Sequence, residues 1–181
     1  FNFSKLNCIV VIDADFSGRG YDLRATEKNI QLYHQLSGRA GRFSTASLIV
    51  YQTLSPEDVT LNELIKNNSE EFLKKELKLR EKNSLPPFSR LIAIIISANS
   101  HSFSLDGARE IKRHLKKINE IEVLGPVDSP LLKIKKKFRT RLLIRFNGKS
   151  LIQKKISKLL NTLKISSKIK LTVDVDPVNF G

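Results

Sequence analysis

The spacing of apolar residues predicts strand, helix and strand in the first part of the chain. The continuous β-branched run from Cys8 to Ile12 predicts a strand buried on both faces. Helical spacing from Thr26, a candidate cap, to Leu36 predicts a helix that Gly38 and Gly41 end. Another strand is predicted from Leu48 to Gln52. This order favours a parallel sheet.

Two more helices are predicted at 55–68 and 70–82, leading away from the sheet, and the Pro86-Pro87 pair then prevents a helix from continuing. The balance of basic and acidic residues changes at the same point of the sequence. Residues 1–84 contain 12 basic and 11 acidic residues, and residues 85–181 contain 20 and 7, so the net charges are +1 and +13. We therefore place a domain junction before Leu85.

The second half of the chain has apolar patterns that predict the order β-α-β-β-α-β. Strands are predicted at 91–97, 122–124, 138–146 and 169–175, and amphipathic helices at 101–119 and 149–163. Gly125-Pro126 is expected to turn the chain. This order is that of the ferredoxin-like split βαβ arrangement, an antiparallel sheet with two helices on one face.

The overall composition narrows the class of protein. The 181 residues carry a formal net charge of +14, which predicts an acidic partner. No apolar run approaches the roughly 18 residues of a membrane helix, so we expect a cytosolic protein without a membrane partner. Cys8, the single cysteine, excludes an internal disulfide and a cysteine-based zinc cage, and we interpret it as a buried residue. Methionine is absent even from position 1, which suggests a fragment of a longer protein.

A glutamine and two arginines form the most specific local pattern, Gln35-Leu36-Ser37-Gly38-Arg39-Ala40-Gly41-Arg42. Two planar, permanently charged guanidinium groups beside a glycine-containing backbone suit the spread negative charge of a γ-phosphate. Gln35 would orient water or the phosphates. A solvated basic turn is the alternative interpretation of the same residues.

A second pattern is a run of basic residues without an acid: Lys133, Lys135, Lys136, Lys137, Arg139, Arg141 and Arg145. In a strand, Arg139, Arg141 and Arg145 share one face, and apolar residues take the other. Such a basic strip is suited to contact with the phosphate backbone, without sequence readout. Phe138 would either stack on a base or pack in the core.

Other polar residues carry weaker signals. Asp13 and Asp15 end a strand at the sheet edge where α/β proteins bind ligands, and would either relay nucleotide state to DNA or cap a loop. Arg24 and Glu27 are placed for an i, i+3 pair on a helix surface. The three histidines are not spaced as metal ligands.

The glutamine-arginine pattern, after a strand ending in Asp13-Ala14-Asp15, resembles motif VI of superfamily-2 helicases, Q-x-x-G-R-x-G-R. The resemblance extends through later landmarks, which are Leu85-Pro86-Pro87-Phe88, Leu124-Gly125-Pro126-Val127 and Asp174-Val175-Asp176-Pro177. Over nearly its whole length the chain resembles the primosomal protein N′ family of replication restart DNA helicases. Ser37, Lys28 and the segment 134–137 depart from the usual family pattern, and the last leaves the shape of a basic hairpin open.

The resemblance implies an α/β fold in which 1–54 ends the second RecA-like lobe, 55–84 is a helical linker and 85–181 is a carboxy-terminal DNA-binding domain. Arg39 and Arg42 would reach nucleotide, Arg42 as arginine finger, with Gln35, Gly38 and Asp13 in the same site. ATP with Mg²⁺ would be bound mainly by a first lobe, and zinc by an upstream module. Because no Gly-Lys-Ser/Thr string is present, this chain is not expected to hydrolyse ATP alone.

The partners implied by the resemblance are forked and single-stranded DNA, other primosome proteins and single-stranded DNA-binding protein. Lys149 and Gln153 would form a basic pocket for the acidic tail of the last, or a plain solvent-facing pair. The implied activity is 3′ to 5′ unwinding at stalled forks, in the bacterial cytoplasm near the nucleoid. Two alternatives stay open: a free-standing basic nucleic-acid-binding or ribosome-associated domain, and the end of another superfamily-2 helicase.

Overall fold

A computed structural model describes residues 8–15, 22–40, 48–58, 61–62, 65, 69–148 and 151–178. The chain divides into two compact units, Phe1–Lys78 and Leu79–Gly181. The division falls inside a helix, α2, that spans Ser69–Lys82 and agrees with the helix predicted at 70–82. The helix predicted at 55–68 does not begin at Ser55, because residues 55–58 form a turn in which the N–H of Asp58 donates to the carbonyl of Ser55 at 3.0 Å. Of the rest of this segment, Leu61, Asn62 and Ile65 are described, and they are helical.

The described secondary structure of the first unit begins with strand β1 (Cys8–Val11), helix α1 (Ala25–Ala40) and strand β2 (Leu48–Tyr51). The strands pair in parallel, as predicted, with Cys8 opposite Leu48. One face of the pair packs with α1 in a small cluster whose buried members are Ala14, Ile30, Tyr33, Leu61 and Phe72. The hydroxyl of Tyr33 donates to the carbonyl of Ala14 at 3.2 Å, which fixes α1 over the end of β1.

Three predictions for this unit are wrong. β1 is not buried on both faces: α1 packs on one face of the strand pair, and no described element covers Cys8 and Val10, which are exposed. Gly38 does not end α1, which continues to Ala40. The helix starts at Ala25 rather than at a Thr26 cap, and the carboxylate of Asp22 accepts from the backbone N–H of Arg24 at 2.8 Å just before it.

The second unit contains the predicted order β-α-β-β-α-β. Its elements are β3 (Arg90–Ala98), α3 (His101–Leu115), β4 (Ile121–Ile134), β5 (Lys137–Phe146), α4 (Ile152–Thr162) and β6 (Ile169–Val175). The strands form one sheet in the order β4-β5-β3-β6, and all three pairings are antiparallel. This arrangement agrees with the split βαβ topology expected from the sequence.

Both helices of the second unit pack on the same face of the sheet. The fully buried side chains there include Ile94 from β3, Ile111 from α3, Ile144 from β5 and Ile156 from α4. They recur every second residue in the strands and every third or fourth in the helices, so binary patterning determines this core. No described helix is long and apolar enough to cross a membrane.

One strand is much longer than predicted. β4 continues through Gly125-Pro126, where the chain was expected to turn. Pairing shifts between Leu124 and Val127, so the extra residues form an irregularity instead of ending the strand. Gly125 has φ +90°, and a Cβ there would lie 2.9 Å from the carbonyl oxygen of Arg141. Glycine therefore permits the close backbone approach.

Candidate nucleic-acid interface

The basic run forms a β-hairpin that closes on two lysines. β4 and β5 pair up to Ile134 opposite Lys137, and Lys135 and Lys136 form the turn. Their φ values of 48° and 64° are those of a type I′ turn, which usually contains asparagine or glycine. The hairpin thus has a tight two-residue turn although the segment lacks glycine. Lys133, Lys135, Lys136 and Lys137 are all exposed.

The alternation predicted for β5 is confirmed. Leu142 and Ile144 are fully buried under the helices, whereas Arg139 and Arg141 lie on the opposite face of the sheet. Burial lowers the pKa of Arg141, but the guanidinium keeps its charge at neutral pH. Two arginines therefore extend the positive charge of the turn along the sheet face opposite the helices.

Arg145 differs from the other basic residues of the hairpin. Its Nε donates to Oε2 of Glu122 at 2.9 Å, and its Nη1 donates to the carbonyl of Asn83 at 2.6 Å. Glu122 lies directly opposite Arg145 in the β4–β5 register. Sequence reasoning missed this carboxylate because it is 23 residues away and is brought close only by strand pairing.

An aromatic and charged cluster lies next to the tip of the hairpin, where Lys133 pairs with Phe138. Nζ of Lys133 is 4.9 Å from the ring centre of Phe138, and the ring of His101 meets the Phe138 ring edge-on at 6.1 Å. Nε2 of His101 is 2.8 Å from Oδ1 of Asp128. Phe138 is half-buried and is not a member of the buried core cluster. The cluster attaches the hairpin to the start of α3.

The predicted nucleotide-facing residues lie near the end of α1. Gln35, Gly38 and Arg39 are exposed, and Gln35 and Arg39 share a helix face because they are four residues apart. Arg42 lies outside the described residues. Among the residues that the structure describes, no hydrogen bond or ion pair joins Asp13 to Gln35 or Arg39.

The two aspartates after β1 have different surroundings. The carboxylate of Asp15 accepts from the hydroxyl of Thr53 at 2.5 Å and from the backbone N–H of Leu54 at 2.9 Å. These hydrogen bonds, that from Thr53 first, lower the pKa of Asp15. The carboxylate thus caps the loop after β2. Asp13 is exposed and has φ 57°.

The surface pair expected on α1 is present. Nε of Arg24 lies 3.5 Å from Oε2 of Glu27. The pair connects Arg24, the residue just before α1, to the first turn of the helix.

In the described part of the chain, no group of three or more histidine, cysteine or acidic side chains is arranged to hold a metal ion.

An open groove of about 450 Å³ runs between α4 and β6. Its floor is apolar and includes Ile156, Leu160 and Val173, and the polar side chain of Gln153 lies at its rim. Lys149, the expected partner of Gln153, lies outside the described residues. Periodicity did not reveal this groove, because it depends on how far α4 covers the edge of the sheet.

A family model matches the second half of the chain, and several known proteins match nearly all of it. The family model described as "Primosomal protein N C-terminal domain" matches residues 81–178, which span the whole β-α-β-β-α-β sheet. Relatives named "Replication restart protein PriA" match nearly the entire chain. Those from Rickettsia conorii, Haemophilus influenzae and Borreliella burgdorferi are 35%, 30% and 29% identical over 99%, 97% and 99% of this chain.

The matches cover 28%, 24% and 27% of these three relatives, so the chain spans about a quarter of their length. The family-model match covers more than half of the present chain and includes the basic hairpin and the closing strand. The chain therefore belongs to the family of the primosomal protein N carboxy-terminal domain.

Proposed function

We propose that this chain is the carboxy-terminal part of an ATP-dependent 3′ to 5′ DNA helicase that restarts replication at stalled forks, and that its second unit holds the DNA backbone. The exposed lysine turn at the tip of the β4–β5 hairpin carries the proposal. In the described part of the chain, no carboxylate neutralises Lys135, Lys136 or Lys137. Relatives of the chain are named as replication restart proteins.

Backbone binding requires cations that can reach phosphates without first losing an internal partner. The three lysines at the tip of the hairpin, Lys135, Lys136 and Lys137, meet this requirement, and Arg139 continues the strip on the sheet face opposite the helices. Each phosphate neutralised releases condensed counterions, so such a surface binds DNA with a strong dependence on salt. Arg145 contributes least because Glu122 already compensates its charge.

The first unit would belong to the second RecA-like lobe of the longer enzyme. The parallel β1–β2 pair with α1 between its strands in sequence supports this proposal. Gln35, Gly38, Arg39 and Arg42, with Asp13, would contribute to a site for ATP with Mg²⁺ whose phosphate loop lies on the first lobe. Arg42 would stabilise charge on the γ-phosphate as the arginine finger.

A protein partner would bind near the groove beside α4. An acidic, apolar tail such as that of single-stranded DNA-binding protein would place its apolar side chains on Ile156 and Leu160, beside Gln153. Lys149, which lies outside the described residues, would be the basic contact of the tail. Other primosome proteins complete the proposed assembly, which would act in the bacterial cytoplasm. The lysine-rich surface of α4 is compatible with an acidic tail.

The test of backbone binding compares two sets of three lysines in the 181-residue chain. If about four phosphates are contacted, the logarithm of affinity for single-stranded DNA should fall against the logarithm of salt with a slope of roughly −3 to −4. Replacing Lys135, Lys136 and Lys137 with alanine should flatten the slope by about two units. Slopes come from fluorescence anisotropy across a salt series.

The matched control removes the same charge elsewhere. Lys154, Lys158 and Lys164 are exposed and have no described ion pair, whereas Lys155 binds Glu120 and is therefore left unchanged. The control triple should change the slope by less than one unit, roughly one phosphate. Equal flattening by the two triples would mean that only the overall positive charge attracts DNA and would reject the hairpin as a binding site.

A further inference from the structure

The two edge strands of the second unit differ in how well they resist pairing with another strand. β4 contains Pro126 and Pro130, and its pairing with β5 shifts twice. Prolines and bulges are common devices that block an edge. β6 has neither: its register with β3 continues without a shift from Ala98 opposite Ile169 to Ile92 opposite Val175. No strand in the described part of the chain pairs with the outer edge of β6, and this free edge is therefore available for a further strand.

The backbone groups on that free edge can be assigned from the register. The N–H of Asp176 donates to the carbonyl of Leu91 at 2.8 Å, so Asp176 directs its backbone groups toward β3. Antiparallel pairing alternates this direction residue by residue. Even-numbered residues of β6 therefore hydrogen-bond to β3, and residues 169, 171, 173 and 175 direct their N–H and C=O groups outward.

The side chains along β6 are complementary to a reversed copy of the same strand. Its sequence, Ile169-Lys170-Leu171-Thr172-Val173-Asp174-Val175, has Thr172 at the centre. We propose that β6 pairs antiparallel with β6 of a second copy of this chain, about a two-fold axis at Thr172. Lys170 then lies opposite Asp174 of the second copy, and Leu171 opposite its Val173. A two-fold axis forms each contact twice.

The outward-directed backbone groups and the groove beside α4 both fit pairing about Thr172. Pairing about Thr172 places outward-directed residues 171 and 173 opposite each other, so their N–H and C=O groups exchange hydrogen bonds. A shift by one residue would oppose outward groups to groups already bonded to β3. Val173 and Val175, which are 45% and 43% exposed, line the groove beside α4. In the dimer the grooves of both copies adjoin, which buries these valines.

Charge complementarity favours a second copy over an unrelated peptide, since a peptide would need its own acid and base at matching positions. The test exchanges the charges in the 181-residue chain and measures the dimer dissociation constant by sedimentation equilibrium. Lys170→Asp and Asp174→Lys should each weaken the dimer by about tenfold or more, because each creates two like-charged cross-strand pairs. The double exchange should restore an affinity close to that of the unmodified chain.

The control is Lys154→Asp, which makes the same charge change on α4 away from the edge and should leave dimerisation unchanged. Circular dichroism checks that every variant keeps its fold. A chain that stays monomeric at about 100 μM, where a micromolar interface would be saturated, overturns the proposal. So does a double exchange that dimerises no better than the single variants, since the two strands would then not meet in this register.

Discussion

Arg145 and Glu122 lie directly opposite each other on β5 and β4, with Nε of the arginine 2.9 Å from Oε2 of the glutamate. The pair gives the basic hairpin a charge polarity, because one end of the hairpin is neutralised and the other is not. At the turn the lysines have no described acidic partner, and at the far end the arginine is neutralised. DNA binding should therefore be concentrated at the turn.

This polarity predicts different results for two arginines on the same face of the same strand. Arg145→Met should leave the salt slope of DNA binding nearly unchanged, because the guanidinium is already paired with Glu122. Arg139→Met should flatten the slope by about 0.7 to 0.9, the value of one phosphate contact. Anisotropy titrations across a salt series measure both, and a larger effect of Arg145→Met would contradict the polarity.

The contrast between these arginines shows where sequence reasoning succeeds. The two-residue period of Leu142 and Ile144 predicted which face of β5 is buried, because burial depends on local alternation. The neutralisation of Arg145 depends on pairing with a strand earlier in the chain, and periodicity does not specify register. The same reasoning explains Cys8, whose exposure depends on which elements cover a two-stranded sheet.

Helix ends and strand ends show a further limit. Gly38 was expected to break α1, but helical glycine costs only about 1 kcal/mol relative to alanine, and the helix continues. Gly125-Pro126 was expected to turn the chain, but the strand absorbs it through a register shift. Local propensity indicates where ending a helix or strand costs little free energy. Tertiary packing and strand pairing determine whether the helix or strand ends there.

Gly125→Ala should destabilise the second unit. The residue has φ +90°, and the added Cβ would lie 2.9 Å from a backbone oxygen, which cannot move without disturbing the β4–β5 pairing. We expect a loss of about 1–3 kcal/mol in the free energy of unfolding. Urea denaturation followed by circular dichroism measures it.

Gly38→Ala provides the matched control for that substitution. No atom lies within 4 Å of a Cβ built at Gly38, and the residue is inside α1. Its replacement should be neutral or stabilise the chain by up to about 1 kcal/mol. An equal loss at both positions would mean that the close approach at Gly125 is not the cause.

The ion pair between Arg90 and Asp176 predicts a dependence of stability on pH. Nε of Arg90 donates to Oδ1 of Asp176 at 3.1 Å, and this contact lowers the pKa of the carboxyl group. Because the folded-state pKa lies below the unfolded value of about 3.9, the stabilisation is complete above that pH and is lost as the pH falls through the folded-state pKa. Asp176→Asn should therefore lower the urea midpoint at pH 7 more than at pH 3.

Glu110→Gln is the control for that pH series. It removes an exposed carboxylate on α3 that no described ion pair holds. Its effect on the urea midpoint at pH 7 should be smaller than that of Asp176→Asn. If the Asp176→Asn difference stays constant between pH 7 and pH 3, the ion pair does not contribute to stability.

The arginines near the end of α1 predict the behaviour of the longer enzyme of which we propose this chain is a part. There, Arg42→Ala should leave nucleotide binding measurable and reduce ATP turnover by on the order of a thousandfold, as expected for an arginine finger. Arg39→Ala should weaken DNA binding only when nucleotide is present, because this exposed guanidinium would also hold ground-state phosphate. Arg24→Ala, in the residue just before α1 and paired with Glu27, is the control and should leave turnover nearly unchanged. Turnover is measured as DNA-stimulated phosphate release and nucleotide binding by calorimetry. Normal turnover in Arg42→Ala would remove this arginine from the nucleotide site, and loss of DNA affinity by Arg39→Ala without nucleotide would assign Arg39 to DNA instead.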